Sequence, residues 1–144
     1  MTEVDFYILP ESTLAARDHF ACRLAEKALH TGRHVVIRVS DEAHADSLSE
    51  YLWSFKPEAF VPHCFSSSDP SSTGTTEKVV IDWQGYTDNY HDVIINLQQA
   101  IPGEFSRFNK LSEIVVQEEK LLTITRESFQ HYRDRGYPLK SHKM

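Results

Sequence analysis

The sequence contains little cysteine and has no long apolar run. Its two cysteines, Cys22 and Cys64, lie far apart, which does not suggest the disulfide framework of a small secreted domain. No apolar stretch approaches the ~18 residues of a membrane-spanning helix. Residues 1–5 carry two acids and no base, unlike the start of a signal peptide. We therefore expect a cytoplasmic protein that does not contact a membrane.

Glycine is also scarce and widely spaced. The five glycines are at positions 32, 74, 85, 103 and 136, so neither the G-x-G-x-x-G fingerprint nor a P-loop is present. The first predicted strand is followed by Pro10-Glu11-Ser12, which places an acid where a phosphate would need bare backbone donors. A nucleotide-dependent or hydrolytic enzyme remains an alternative, because a fold by itself does not decide function.

The sequence offers few residues for metal binding or catalysis. Two His/Cys pairs occur, but neither has the four closely spaced ligands of a zinc site: His19 with Cys22, and His63 with Cys64. His91-Asp92 precedes a predicted strand and resembles a base with its orienting carboxylate. Such pairs are common in turns. We therefore expect no catalytic residue, no metal site and no cofactor.

The composition is that of a folded protein. The chain has 144 residues, of which 40% are hydrophobic and 11% aromatic, and this length predicts a single domain over residues 1–144. The net charge of −6 argues against a protein that wraps a phosphate backbone with its whole surface.

Short apolar runs alternate with helical patterns. The predicted strands are residues 4–9, 34–39, 60–61, 78–83, 93–97 and 114–116. The predicted helices run from Leu14 to about Gly32, between Asp41 and Lys56, around residues 104–108, and over residues 118–135. This succession predicts an α/β fold with a mostly parallel central sheet flanked by helices. Residues 66–76 are expected to form an exposed loop, and residues 137–144 a C-terminal tail.

The acidic chain ends in a basic segment. From Lys120 onward six residues are basic and two acidic. Four residues of the last predicted helix have the spacing that places them on one face: Arg126, Phe129, Gln130 and Arg133. Guanidinium groups pair with carboxylates, and a neighbouring ring can receive an apolar side chain. The pattern is typical of a pocket for a short acidic peptide. The alternative is a solvated helix face with Phe129 in the core.

A second candidate surface is the connection L-W-S-F-K-P-E-A-F-V-P-H at residues 52–63. Aromatic and proline residues crowd this connection, notably Trp53, Phe60, Val61 and Pro62. Aromatic side chains on a connection can leave an apolar patch exposed, and such patches often mark partner sites. The alternative is that these side chains cap the core.

Several segments carry a family resemblance along the whole chain. They are F-Y-I-L near the start, G-R-H-V-V-I, L-W-(x)6-F-V-P-H, I-D-W, D-V-I-I-N-L, and T-R-E-S-F-Q-H-Y-R-D-R-G-Y near the end. In this order and spacing the sequence resembles the chi subunit family of the bacterial DNA polymerase III clamp-loader complex. The resemblance implies a non-catalytic subunit with a Rossmann-like fold and no working nucleotide site.

The resemblance also implies two binding surfaces. One binds the psi subunit, and a helicase is associated with the same surface in some members; its residues correspond to Trp53, Phe60, Val61 and Pro62. The other takes the acidic, Phe-ending C-terminal tail of single-stranded DNA-binding protein; its residues correspond to Val115, Arg126, Phe129, Gln130 and Arg133. Nucleic acid would then be contacted only indirectly.

The sequence departs from the family at the tail site. Position 129 is Phe where chi-family members commonly have tyrosine. Positions 122 and 130 are Leu and Gln where chi-family members commonly have lysine. Fewer cations should weaken tail binding and make it less sensitive to salt. Three other functions remain as alternatives: direct binding of single-stranded DNA by the basic last helix, a helicase-associated accessory role in repair, and the enzyme considered above.

Overall fold

Seven strands and three helices follow one another in the computed structural model, which describes residues 1–54, 63–66, 78–87 and 90–144. The strands are β1 (Glu3–Ile8), β2 (Val35–Arg38), β3 (His63–Phe65), β4 (Val79–Asp82), β5 (Val93–Asn96), β6 (Lys110–Val115) and β7 (Leu139–Lys143). The helices are α1 (Leu14–His30), α2 (Glu42–Ser54) and α3 (Glu119–Asp134), with one 3₁₀ turn at Phe105–Arg107.

All seven described strands form one parallel sheet in the order β3-β4-β2-β5-β6-β1-β7. Parallel neighbours need crossover connections. Helix α1 carries the chain from β1 to β2, α2 from β2 to β3, and α3 from β6 across β1 to β7. The predicted α/β fold is confirmed, and the sheet is wholly parallel in the described residues.

The helices cover opposite faces of the sheet, because crossovers of one hand that run in opposite directions lie on opposite sides. One apolar cluster joins α1 and α2 to alternate strand residues: Ala21, Cys22, Ala25, Ala45, Leu48, Leu52, Val35, Ile37, Ile81 and Ile95. The second cluster joins α3 and the 3₁₀ turn to the intervening residues: Val4, Phe6, Val36, Ile94, Leu111, Val115, Phe105, Phe108 and Tyr132. Strands that are buried on both faces read as continuous apolar runs, which made the central strands recognisable.

Each helix begins at a side-chain cap. Thr13 Oγ1 accepts a hydrogen bond from the backbone N–H of Ala16 at 3.2 Å. Asp41 Oδ1 accepts from the backbone N–H of His44 at 2.8 Å. Glu118 accepts from the first turn of α3. These bonds satisfy backbone donors that a helix leaves unpaired at its start.

Replacing Thr13 with alanine should lower the free energy of unfolding by about 1 kcal/mol, since it removes the cap of α1. Urea denaturation would measure the change. Ser12→Ala, at the exposed neighbouring position, is the matched control and should change stability by less than about 0.5 kcal/mol. Equal effects of the two substitutions would contradict a capping role for Thr13.

The structure differs from the sequence prediction near the C-terminus. Strand β6 begins at Lys110, four residues before the predicted start. The sequence pattern missed this start because the polar residues Ser112 and Glu113 interrupt the apolar run. Residues 137–144, expected as a tail, include β7. This strand lies at the sheet edge and has little apolar character, so nothing in its pattern marked it.

Two other predictions fall largely outside the described residues. The predicted strand at residues 60–61 is not among them, and the third strand that is described lies at His63–Phe65. Of the loop expected at residues 66–76, only Ser66 is described. No helix in the described ranges is long and apolar enough to cross a membrane.

Candidate functional site

Helix α3 presents two different sides to the sheet. One side faces β5 and β6, where Leu121, Ile124, Thr125 and Ser128 line a small cavity together with Asn96 and Glu113. The other side faces β1, where Leu122 and Phe129 pack against the cluster that contains Phe6 and Ile8. Arg126 and Arg133 continue the row of Leu122 and Phe129 at helical spacing. The cations therefore lie on the side of α3 that overlooks β1.

The structure brings the predicted apolar residues of the tail site together. Val115 of β6 is buried, and the half-buried Phe129 packs against the same cluster. The ring centroids of Phe129 and Phe6 are 5.3 Å apart. Phe129 thus packs against the core and still presents part of its ring to solvent.

The predicted polar residues behave differently from one another. Arg126 and Arg133 are exposed, and neither has an ion-pair partner among the described residues. Gln130 is also exposed, but its amide donates to Asp134 Oδ1 at 2.7 Å. The two guanidinium groups are therefore available for an external carboxylate, whereas Gln130 already has a partner on its own helix.

A partly buried polar contact that the sequence did not predict holds α3 on the sheet. The Tyr132 hydroxyl donates to Glu113 Oε2 at 2.7 Å, and Asn96 Nδ2 donates to both carboxylate oxygens at 3.1 and 3.3 Å. Burial raises the pKa of Glu113 to about 7, against the opposing effects of Tyr132, Asn96 and Arg17. The available signal was an acid, Glu113, directly before the apolar run of residues 114–116.

Trp53 is the described member of the second predicted surface. Its side chain is 59% exposed at the end of α2, and its ring lies edge-on to His63 at 5.6 Å. Nearby on the edge strand β3, Phe65 is 42% exposed and contacts Trp83. The other predicted members, Phe60, Val61 and Pro62, lie outside the described residues. The described part of this edge therefore shows exposed aromatic surface.

A second polar cluster missed by the sequence analysis lies at the carboxyl ends of β2 and β4. Arg38 Nε lies 2.7 Å from Asp82 Oδ2, and its Nη2 lies 2.5 Å from Glu104 Oε1. Asp82 also accepts from the backbone N–H groups of Gly85 and Tyr86. Because Arg38 is ion-paired with both carboxylates and Asp82 also accepts from the backbone, we assign the cluster a structural role: it holds the loop after β4.

The His/Cys pairs and the His91-Asp92 pair considered in the sequence do not form a metal or catalytic cluster among the described residues. Cys22 is buried in the core, where burial raises its pKa to about 12, whereas the His19 ring lies beside Tyr51. The Asp92 carboxylate accepts from the backbone N–H of His34 at 2.9 Å and so fastens the start of β2. Within the described ranges, no three His, Cys, Asp or Glu side chains form a group that could hold a metal ion.

Comparison with known proteins matches the sequence to one family. The family model described as DNA polymerase III chi subunit, HolC, matches residues 1–140. The chain belongs to the DNA polymerase III chi subunit family. The resemblance inferred from the sequence motifs is thereby confirmed, and chi is an accessory rather than a catalytic subunit of the polymerase.

Three relatives carry the name DNA polymerase III subunit chi. The Pseudomonas aeruginosa protein is 39% identical, with 100% of this chain and 98% of that protein covered. The Haemophilus influenzae protein is 33% identical, with 93% and 92% covered. The Escherichia coli protein is 29% identical, with 96% of both covered. The chi relationship therefore spans almost the full length of each chain.

A solved structure supports the fold alone. The crystal structure of T4 UvsW matches with a TM-score of 0.66 at 9% identity, over 99% of this chain and 42% of that chain. Together with the parallel sheet and its flanking helices, this agrees with the expected Rossmann-like fold of chi. At such low identity the likeness says nothing about function.

Proposed function

We propose that this chi-family chain is a non-catalytic adaptor of the replicative DNA polymerase III holoenzyme. One surface binds the psi subunit, and the exposed side of α3 binds the acidic, Phe-ending C-terminal tail of single-stranded DNA-binding protein. The adaptor thereby links the clamp loader to coated single strands. The observation that carries the proposal is the pair of exposed arginines, without ion-pair partners in the described residues, that flank Phe129.

The chemistry of α3 suits a short acidic peptide. Arg126 and Arg133 are seven residues apart, which corresponds to about 10 Å along a helix axis. Each guanidinium can bind a carboxylate in a bidentate manner. Between them, the exposed part of Phe129 offers an apolar surface for the terminal phenylalanine ring, in an offset or edge-to-face arrangement. A peptide of this size buries little area and loses conformational freedom, so the affinity should be micromolar rather than nanomolar.

Calorimetric titration with a synthetic peptide tests the proposal. The peptide is acidic, ends in phenylalanine, and is measured at low and at moderate salt. Micromolar binding that weakens with salt would support the tail site. Absence of binding at low salt would contradict it.

The same titration with bare oligonucleotide tests the rival function. Binding of uncoated single strands through the basic helix would favour direct DNA contact over the adaptor. Tighter binding to the oligonucleotide than to the peptide would overturn the assignment of α3 to the tail.

Trp53→Ala should weaken binding to psi by about tenfold, since exposed tryptophans are often among the main contributors to interface energy. The free energy of unfolding should change by less than about 0.5 kcal/mol because the side chain is mostly exposed. Copurification and titration with psi measure the first effect, and urea denaturation the second. The tail peptide serves as an internal control, since its affinity should be unchanged. Unchanged affinity for psi in the variant would show that Trp53 does not contribute to psi binding.

A further inference from the structure

Strand β7 has two distinct faces, and its register defines them. Lys143 lies beside Ile8 of β1, and His142 lies beside Tyr7. The Tyr7 and His142 rings stack at 4.9 Å on the face that carries α1. Because side chains alternate along a strand, Lys143 projects to the other face. Ile8 lies on that face and belongs to the cluster beneath α3.

Helix α3 and β7 border the same strip of sheet. The side of α3 that bears Leu122 and Phe129 faces β1, and β7 is the next strand beyond β1. Arg126 shares this side by helical spacing. Helix α3 starts at the carboxyl end of β6 and runs back across the sheet, so its first half lies near the carboxyl ends of the strands. Lys143 is the last residue of β7. Phe129 contacts Phe6, and Arg126 lies about one helical turn nearer the carboxyl ends of the strands. Lys143 pairs with Ile8, two residues beyond Phe6, so Arg126 and Lys143 border the strip at a similar level, one on each side.

We propose that Lys143 is a third cation of the tail-binding site and forms the wall opposite Arg126. This inference rests on the proposed tail function of α3. Lys143 is exposed and has no ion-pair partner in the described residues. Its ammonium would pair with an acidic side chain of the peptide. It would replace part of the charge that is missing where Leu122 and Gln130 stand in place of the familiar lysines.

Lys140 offers a matched control on the same strand. It is also exposed, but it lies beside Asp5 on the face that carries α1. Peptide titration at low salt should show Lys143→Met weakening the acidic tail by about threefold and Lys143→Glu by about tenfold, as expected for a partly solvated ion pair. Lys140→Met and Lys140→Glu should change the affinity less than twofold. Lys143→Arg should restore most of the affinity.

The outcomes separate the two proposals. If the wild-type chain binds the peptide and Arg126→Ala does not, equal affinities for the Lys143 and Lys140 variants would overturn the role of Lys143 and leave the α3 site intact. A wild-type chain that does not bind the peptide would overturn both. Thermal denaturation of each variant, with unchanged midpoints expected, shows whether β7 stays in place; a Lys143→Met variant that loses affinity only together with stability would count against direct contact.

Discussion

Replacing Arg126 with alanine is expected to reduce affinity for the acidic tail by about 30-fold or more, because a hydrogen-bonded ion pair to the peptide is lost. The guanidinium is exposed and has no ion-pair partner in the described part of the chain. Its removal should therefore change the free energy of unfolding by less than about 0.5 kcal/mol. Peptide titration at low salt and urea denaturation of the same preparation measure the two quantities.

Arg135→Ala is the matched control for this prediction. Arg135 is an exposed arginine that caps the end of α3, nine residues beyond Arg126 and so about half a turn away around the helix. It should leave tail affinity within about twofold of wild type. Similar losses of tail affinity in both variants would indicate a general charge effect rather than a defined site. Unchanged tail affinity in Arg126→Ala would show that Arg126 is not part of the tail-binding site.

The Glu113→Gln substitution should raise the free energy of unfolding at pH 8 by up to about 3 kcal/mol, the second large effect that we expect. The amide keeps an oxygen for the Tyr132 hydroxyl and carries no charge. Burial raises the pKa of Glu113 from 4.5 to about 7, so above pH 7 the wild-type protein holds a carboxylate at a site that favours the neutral acid.

The direction of the pH dependence follows from the same pKa. Between pH 4.5 and about 7 the folded chain retains a proton that the unfolded chain has released. The contribution of Glu113 to the free energy of unfolding therefore falls as pH rises through this window. Urea denaturation from pH 4.5 to 8 should show wild type and Glu113→Gln nearly equal at the acidic end and separating towards pH 7.

The exposed Glu127 of α3 offers the control, since Glu127→Gln should follow the wild-type curve. A Glu113→Gln variant with the same pH dependence as wild type would contradict the elevated pKa. The result also bears on the proposed site, because Tyr132 ties α3 to Glu113. Neutralising Glu113 should therefore leave the helix, and with it Arg126 and Phe129, at least as firmly placed.

The elements with strong local signals were predicted well. The apolar runs of β1, β2, β4 and β5 and the capped, periodic helices α1 and α3 all lie within a few residues of their predicted positions. Strands β6 and β7 were the weak points. In β6 the acid Glu113 is tolerated only because Tyr132 and Asn96 hydrogen-bond it, and both are distant in sequence. In β7 only the pairing with β1 makes an otherwise polar segment extended.

In the candidate site, too, some features follow from local sequence spacing and others only from tertiary packing. Helical spacing alone placed Arg126, Phe129 and Arg133 on one face, because the period of an α-helix is independent of its surroundings. Which part of Phe129 is buried, and that Gln130 bonds to Asp134, depend on how α3 packs on the sheet and on the rotamers chosen there.

The sequence by itself determined the fold class, the absence of a nucleotide motif, the chi resemblance and the arginine-bearing face, since each depends on residue type and local spacing. Only the tertiary structure decided the strand order, the raised pKa of Glu113 and the position of Lys143 on the α3 face of β7. These depend on contacts between residues far apart in the chain, where burial and strand register, rather than local pattern, set the outcome.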